Sequence, residues 1–571
     1  MSKQWAFDYV VESARERGEL GRFPDSWRPR LANKFYTQAK RDGYGEASNQ
    51  LLENLSGVNG YKFDLASDDD AICLFAKQRA DECFRISGRF KNQDEALAHM
   101  LAILQRYEIA PPSGRNVTKT GQRLRLLDVN WWRRNLRRVA GRNVEAAAIN
   151  IGLVSRVAGL YCSDESVQRR RQQKQRNTRI LSTLEASNDD GQSYTLQDLS
   201  DLGVSNPKVA RMELMTRIAG FDEAAQSLGH AAEFYTLTAP SKYHARNHVT
   251  GKEQKNYNGA TPRQTQEYLT QVWARIRAQL ARDNIQLYGF RVCEPHHDGT
   301  PHWHMLFFTA QKNVKRLRAI IRHYALDEDG HEVGASKHRF TYKAIDRKKG
   351  SAVGYIAKYI AKNIDGFGVG DDYEAKDASA ADTSERVDAW ASTWGIRQFQ
   401  QLGGQSVTLW RELRRAEVAQ IQSDTLRAIA EAADVGAWDR YTQLNGGVFG
   451  DVKRATITMV GAIDTETGEI SFNQYDEPAA PTISGFTLAN EYVATRTRVW
   501  VIKRKATAEA PWSSVNNCTE LATIIQLADF EVKKMQFREQ RKATSDTPPH
   551  CLVNFRAKKE REKVEKWNKK Q

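Results

Sequence analysis

Apolar residues recur at three- and four-residue spacing through the first part of the chain, then at two-residue spacing near its middle. "PRLANKFYTQAKRDGYGEASNQLLENL" and "ALAHMLAILQRYEI" carry the helical period, so residues 1 to about 110 read as helices with polar connections. "PPSG" at 111–114 is a break. The basic helical stretches "LDVNWWRRNLRRVAGRNVEAAAINIGLV" and "SVQRRRQQKQRNTRIL" follow, and "ASNDDGQSYTLQDLSD" at 186–201 reads as a turn or linker. The period changes at "AEFYTLTAPSKYHA" (232–245), whose β-branched and aromatic residues predict a strand. A helix opened by Pro262 is expected at about 262–282. Strands are expected at "QLYGFRVCEPH", "PHWHMLFFTA" and "RFTYKAID", with helices at "NVKRLRAIIRHYAL" and at "AVGYIAKYIAKNIDG", the last ending at Gly366. This order predicts an α+β domain with a largely antiparallel sheet.

Beyond 370, "DDYEAKDASAADTSERVDAW" reads as polar and loose, and 390–440 as helical. "RATITMVGAIDTETGEISF" predicts strands about a hairpin turn, and "FRAKKEREKVEKWNKKQ" a charged helix or basic end. Three regions result: a mainly helical basic region at 1–220, the α+β domain at 230–370, and a mixed accessory region at 371–571.

Charge adds a partner class. Lys and Arg number 85 against 70 Asp and Glu, a net +15 over 571 residues, which favours a polyanion such as nucleic acid. Arg133, Arg134, Arg137 and Arg138 beside Trp131 and Trp132 are candidate phosphate contacts, as are Lys348 and Lys349. A solvated helix face accounts for the arginines as well. None of the 6 cysteines forms a CxxC pair, so reduced thiols are expected. No signal-peptide core or bilayer-length apolar run is visible, so a soluble cytoplasmic protein without a membrane partner is expected.

The densest chemistry lies in "EPHHDGTPHWHMLFF" (294–308). "HHDGT" suits a hairpin turn, with Asp298 and Gly299 at its tip. Along the next strand His302 and His304 share a face while Trp303 points away. Glu294 and His296 on the preceding strand share a face too, and either can complete a ligand set. Imidazoles with a carboxylate and open positions suit a catalytic divalent ion, and a structural zinc is the competitor. His297 reads as a solvated turn residue. The second cluster is "GYIAKYIAKN" (354–363), where Tyr355 and Tyr359 lie one helical turn apart, as do Lys358 and Lys362. Tyrosines so spaced usually pack. Beside lysines and a metal-polarised phosphate they become candidate nucleophiles, with a 5′-phosphotyrosine as product.

Together "HWH" and "YIAKYIAK" resemble the motifs of two-tyrosine HUH endonucleases. The fuller text is similar to the bacteriophage replication gene A protein family over about 230–410, including "FYTLTAPSKYH" and "WASTWGIRQFQQLGG". The resemblance implies a small antiparallel sheet of RNA-recognition type flanked by helices. It implies His302 and His304 as ligands of Mg²⁺ or Mn²⁺, with Glu294 preferred to His296 as the third. Tyr355 and Tyr359 become paired nucleophiles, helped by Lys358 and Lys362 at the phosphate. The implied activity is a site- and strand-specific DNA nickase-ligase that initiates rolling-circle replication on single-stranded or melted origin DNA in the bacterial cytoplasm. No G-x-x-x-x-G-K-[ST] is present, so the host's helicase and polymerase are the expected partners. The same chemistry serves transposases and relaxases. A reading of another class is a non-catalytic DNA-binding protein stabilised by zinc.

Overall fold

A five-stranded sheet organises the computed structural model, which describes residues 3–17, 23–56, 68–248, 250–366, 380–461 and 469–505. Its strands lie in the order Phe340–Ala344, His230–Leu237, Pro301–Ala310, Tyr288–Pro295, Phe399–Leu402, each antiparallel to its neighbours. The molecule is mixed α and β with antiparallel sheets, as the element order predicts.

Register sorts the side chains onto two faces, because directly opposed residues point the same way. Phe234 and Phe290 both oppose Leu306, Thr236 and Val292 both oppose His304, and Glu294 opposes His302. All of these share one face. It packs on the helices Pro207–Ser227 and Ala352–Ile364 through Ile218, Phe221, Ile356 and Ile360. Trp303, Met305 and Phe307 fill the other face beneath the helix Pro262–Arg282. There Trp273 stacks on Phe307 at 5.5 Å, and Trp303 Nε1 donates to Gln266 Oε1 at 2.9 Å. That helix starts where Thr261 and Gln264 form a capping box ahead of Pro262, and it buries Leu269, Val272, Trp273, Ile276 and Leu280.

Of the described residues, 68–140 and 469–480 form a second unit, and the others form the first. In the second unit the helices Asp69–Arg89, Gln93–Gln105 and Lys119–Leu127 share a core with Trp131 and Trp132. Arg125 grips Glu477 bidentately at 2.8 and 2.7 Å, and Tyr475 Oη donates to Asp128 Oδ2 at 2.7 Å. Among the described residues no helix is long and apolar enough to cross a membrane. Cys73, Cys83, Cys162 and Cys293 are thiols, and Cys518 and Cys551 lie outside the described residues.

Four expectations change. The stretch 186–201 is a hairpin, Leu184–Asn188 with Ser193–Thr195, followed by a helix that Thr195 and Asp198 cap. Of the stretch expected to be loose, 371–379 lies outside the described residues, and the part from 380 onward belongs to the helix Ala380–Trp394. Its polar composition hides a stripe at 387, 390, 391 and 394, where Val387, Trp390, Ala391 and Trp394 are buried. The region 390–440 is interrupted by the strand Phe399–Leu402, too short to show a period. The strand Ala455–Val460 pairs with Thr482–Leu488, a more distant partner than a tight hairpin gives. The turn between, at 462–468, and the basic tail lie outside the described residues.

Gly289 has φ +146°, and a Cβ there would meet the Leu306 carbonyl oxygen at 2.0 Å. Gly289→Ala is expected to lower unfolding free energy by about 3 kcal/mol, since backbone on the facing strand cannot step aside. Urea denaturation followed by tryptophan fluorescence measures this. An unchanged midpoint would show that the sheet yields at this point.

Candidate active site

The hairpin turn closes through backbone bonds from the His296 amide to Thr300 O at 2.7 Å and from the Gly299 amide to His296 O at 2.8 Å. Gly299 supplies the left-handed residue, φ +82°, that such a turn needs. The turn is buried. His244 Nδ1 lies 3.3 Å from Asp298 Oδ2, and Trp390 Nε1 donates to Gly299 O at 2.8 Å. His297, expected in solvent, is packed with its Nε2 3.2 Å from the Arg246 carbonyl oxygen, because neighbouring segments cover the turn.

Register then assembles three ligands. His302 Nε2 and His304 Nε2 lie 2.9 Å apart, and Glu294 Oε2 is 4.0 Å from His304 Nε2. The three buried side chains present donor atoms within 4.8 Å of one another and can hold one metal ion. The 2.9 Å between the imidazoles fits cis ligands, which lie roughly 3.0 Å apart when each is ~2.1 Å from an octahedral ion, and Glu294 stands farther off at 4.0 Å from His304. Burial, then neighbouring imidazoles and lysines, hold both histidines well below their usual pKa, so neutral lone pairs face the site. Thr236 Oγ1 sits 3.0 Å from His304 Nδ1 and fixes that ring from behind. His296, the other candidate ligand, lies past the last paired residues of the hairpin. Its ring stacks on His302 at 4.0 Å, outside the triad.

Glu294 is steadied from the helix Ala352–Ile364. Asn363 Nδ2 donates to Glu294 Oε1 at 2.5 Å, and Lys362 Nζ lies 3.7 Å from Oε2. Gln398 Nε2 donates to Asn363 Oδ1 at 3.1 Å, so both ends of that amide are engaged. The helix begins where Ser351 accepts from the Gly354 amide. Ala352, Ile356 and Ile360 face the core, which leaves Tyr355 and Tyr359 at its margin. The Tyr359 ring lies between Phe234 (5.4 Å) and His304 (4.0 Å). Burial, then the Glu294 charge, push its phenol up to about 12. Lys358 Nζ lies 4.7 Å from the Tyr359 ring centre, and Lys343 Nζ 4.7 Å from that of Tyr355. A cavity of about 560 Å³, lined by Thr341, Lys343, Lys349, Lys358, Tyr355 and Tyr359 among others, opens beside them.

The structure thus gathers Glu294, His302, His304, Tyr359, Lys358 and Lys362, with Tyr355 one turn away. Lys349 lines the cavity and Lys348 is exposed beside it. The arginine cluster lies in the second unit. Arg137 is paired bidentately with Asp69 at 2.7 and 2.6 Å, Arg134 and Arg138 are exposed, and Trp131 and Trp132 are core. Asn363, Gln398, Thr236 and Lys343 join the site without having been singled out from sequence. Asn363 was signalled by its place four residues after Tyr359. The other three depend on strand pairing that no local pattern reveals.

The comparisons agree on a family. The family model described as bacteriophage replication gene A protein (GPA) matches residues 71–367. The chain is 40% identical over 469 residues to the replication gene A protein of Escherichia phage 186, covering 77% of this chain and 66% of that one. It is 39% identical over 406 residues to the probable replication protein P12 of Pseudoalteromonas phage PM2, covering 70% and 62%. It is 32% identical over 444 residues to a probable replication endonuclease from a prophage-like region of Salmonella paratyphi A, covering 72% and 53%. The chain therefore spans between about half and two thirds of the length of these relatives. No solved structure matches it.

Asn363→Ala is expected to weaken Mn²⁺ binding about 10- to 100-fold by releasing the Glu294 carboxylate. Titration calorimetry measures this, with circular dichroism as the check on folding. Undiminished affinity would remove Asn363 from the support of the ligand set. Acidity gives a second expectation. In the metal-free protein His302 and His304 stay neutral when folded but bind protons near pH 6.5 when unfolded. The unfolded state then holds more protons, so stability is full above about pH 6.5 and falls below it. Denaturant titrations between pH 8 and 5 should show this decline, and a His302→Gln, His304→Gln double variant a shallower one. Equal slopes would contradict it.

Proposed function

The chain belongs to the bacteriophage replication gene A protein family, and from that membership we propose that it is a replication-initiating DNA endonuclease of the two-tyrosine HUH type. The observation that carries the proposal is the Tyr359 ring 4.0 Å from that of His304, with Tyr355 one helical turn away. Two phenols beside two imidazoles and a carboxylate match metal-assisted phosphoryl transfer better than a structural ion site does.

Glu294, His302 and His304 would hold Mg²⁺ or Mn²⁺, whose positive charge would help to neutralise and orient a phosphodiester. The chain's own groups do the rest. A tyrosine Oη forms a bond to phosphorus, and the bond from phosphorus to the 3′ oxygen breaks. The phenolic proton passes to solvent, and the departing 3′ oxygen takes one up. Lys358 favours the phenolate as it forms. The products are a 5′-phosphotyrosine and a free 3′-hydroxyl that primes synthesis. Reversal of the same step joins ends, and two tyrosines permit two transfers in succession. The cavity, at about 560 Å³, suits an unpaired segment of the strand rather than intact duplex. On this reading residues 230–370 carry the chemistry, and the helical arginine-bearing region binds origin duplex or a partner. Unwinding and synthesis fall to the host's helicase and polymerase in the cytoplasm.

The test uses labelled single-stranded oligonucleotides tiled across the genome that carries this gene, incubated with the protein and Mn²⁺. A covalent adduct is expected on a denaturing protein gel. It should persist in Tyr355→Phe and in Tyr359→Phe, and vanish in the double variant and with EDTA. An adduct that survives the double variant would defeat the tyrosine mechanism.

A further inference from the structure

Each tyrosine has its own lysine. Lys358 lies over Tyr359 from the same helix, whereas Lys343 reaches Tyr355 from the edge strand Phe340–Ala344 on the cavity's other wall. Register explains the reach. Lys343 opposes Phe234, which opposes Leu306, so Lys343 stands on the sheet face that carries His302 and His304. Three lysines line the cavity. Lys349 is within 3.8 Å of Asp346, while Lys343 and Lys358 have no carboxylate partner among the described residues. Their charges are therefore available to the rings beneath them.

Building on the two-tyrosine reading, we propose that Lys343 is a positioning residue dedicated to Tyr355. It holds that ring at the cavity and stabilises the phenolate that develops when Tyr355 attacks. A cation over an aromatic face attracts it electrostatically, and the attraction strengthens when water is excluded. An ionised phenol carries more charge into its ring than a neutral one, so the contact favours the attacking form. During the step Tyr355 Oη bonds to phosphorus as the bond to the 3′ oxygen breaks. The phenolic proton goes to solvent, the 3′ oxygen takes a proton from solvent, and Lys343 stays protonated throughout. The two phenols meet different surroundings, since Tyr359 lies against His304 and Tyr355 stands a turn farther along the helix.

The experiment isolates each nucleophile in the full chain. Tyr359→Phe leaves Tyr355 alone, and Tyr355→Phe leaves Tyr359 alone. Each is combined with Lys343→Met or Lys343→Arg, and adduct formation is timed with Mn²⁺ and the single-stranded oligonucleotide that the unmodified chain captures. Lys343→Met is expected to slow the Tyr355-only protein about tenfold more than the Tyr359-only protein, with Lys343→Arg restoring most of the rate. Lys358→Met should show the reverse preference. Oligonucleotide affinity, read by fluorescence anisotropy, should not track the loss. An equal loss in both proteins, or one that follows affinity, would make Lys343 a general DNA contact and overturn the assignment. Failure of arginine to rescue would reduce it to packing. Adduct from neither single-tyrosine protein would overturn the two-tyrosine reading itself, and the assignment with it.

Discussion

The site depends on one register. Glu294 faces His302 and Thr236 faces His304 because the two hairpin strands and their neighbour pair without a slip. A shift by one residue would turn His302 and His304 toward the helix Pro262–Arg282 and bring Trp303 to the other face. The core guards against this. Trp303 is fully buried, its indole N–H is bonded to Gln266, and the Arg291 guanidinium lies 4.0 Å from its ring centre. The two flanking histidines are thus aligned by an apolar residue that takes no part in the chemistry.

Register alone would leave a problem, since Glu294 is a carboxylate withdrawn from water. Removing an ionised carboxylate from solvent is costly unless hydrogen bonds and opposite charge offset it. Asn363 and Lys362 supply both. They also tie the tyrosine-bearing helix to the triad, because Asn363 follows Tyr359 by one turn. The contact that makes the buried charge tolerable is therefore the contact that sets the distance from Tyr359 to the Glu294, His302 and His304 triad.

Much of this was legible. The strands and helices from 230 to 366 follow from two simple periods, and His302 and His304 from alternation along one strand, whereas the role expected of Tyr355 and Tyr359 rests on the resemblance. What escaped depends on pairing across elements. The preference for Glu294 over His296 came from resemblance, whereas the structure supplies a reason in the end of strand pairing at Pro295 and Pro301. The burial of His297 follows from Arg246 and Trp390 crossing the turn, and neither is adjacent to it in sequence. The helix Ala380–Trp394 escaped because most of its apolar residues are alanines interspersed with polar ones, which mask the helical spacing of Val387, Trp390 and Trp394.

The environment of Tyr359 bears on the proposed chemistry in both directions. Burial and Glu294 push its phenol up to about 12, which at first sight disfavours attack. At pH 7 such a phenol is almost wholly neutral. The same shift bears on the balance between cutting and joining. A phenolate ordinarily leaves phosphorus more readily than an alkoxide, which would tilt the equilibrium toward the rejoined strand. Raising the phenol toward the basicity of a sugar hydroxyl narrows that difference. On the proposed reading, cut and joined states would then lie closer in free energy, as a reaction that opens a strand and later closes one requires.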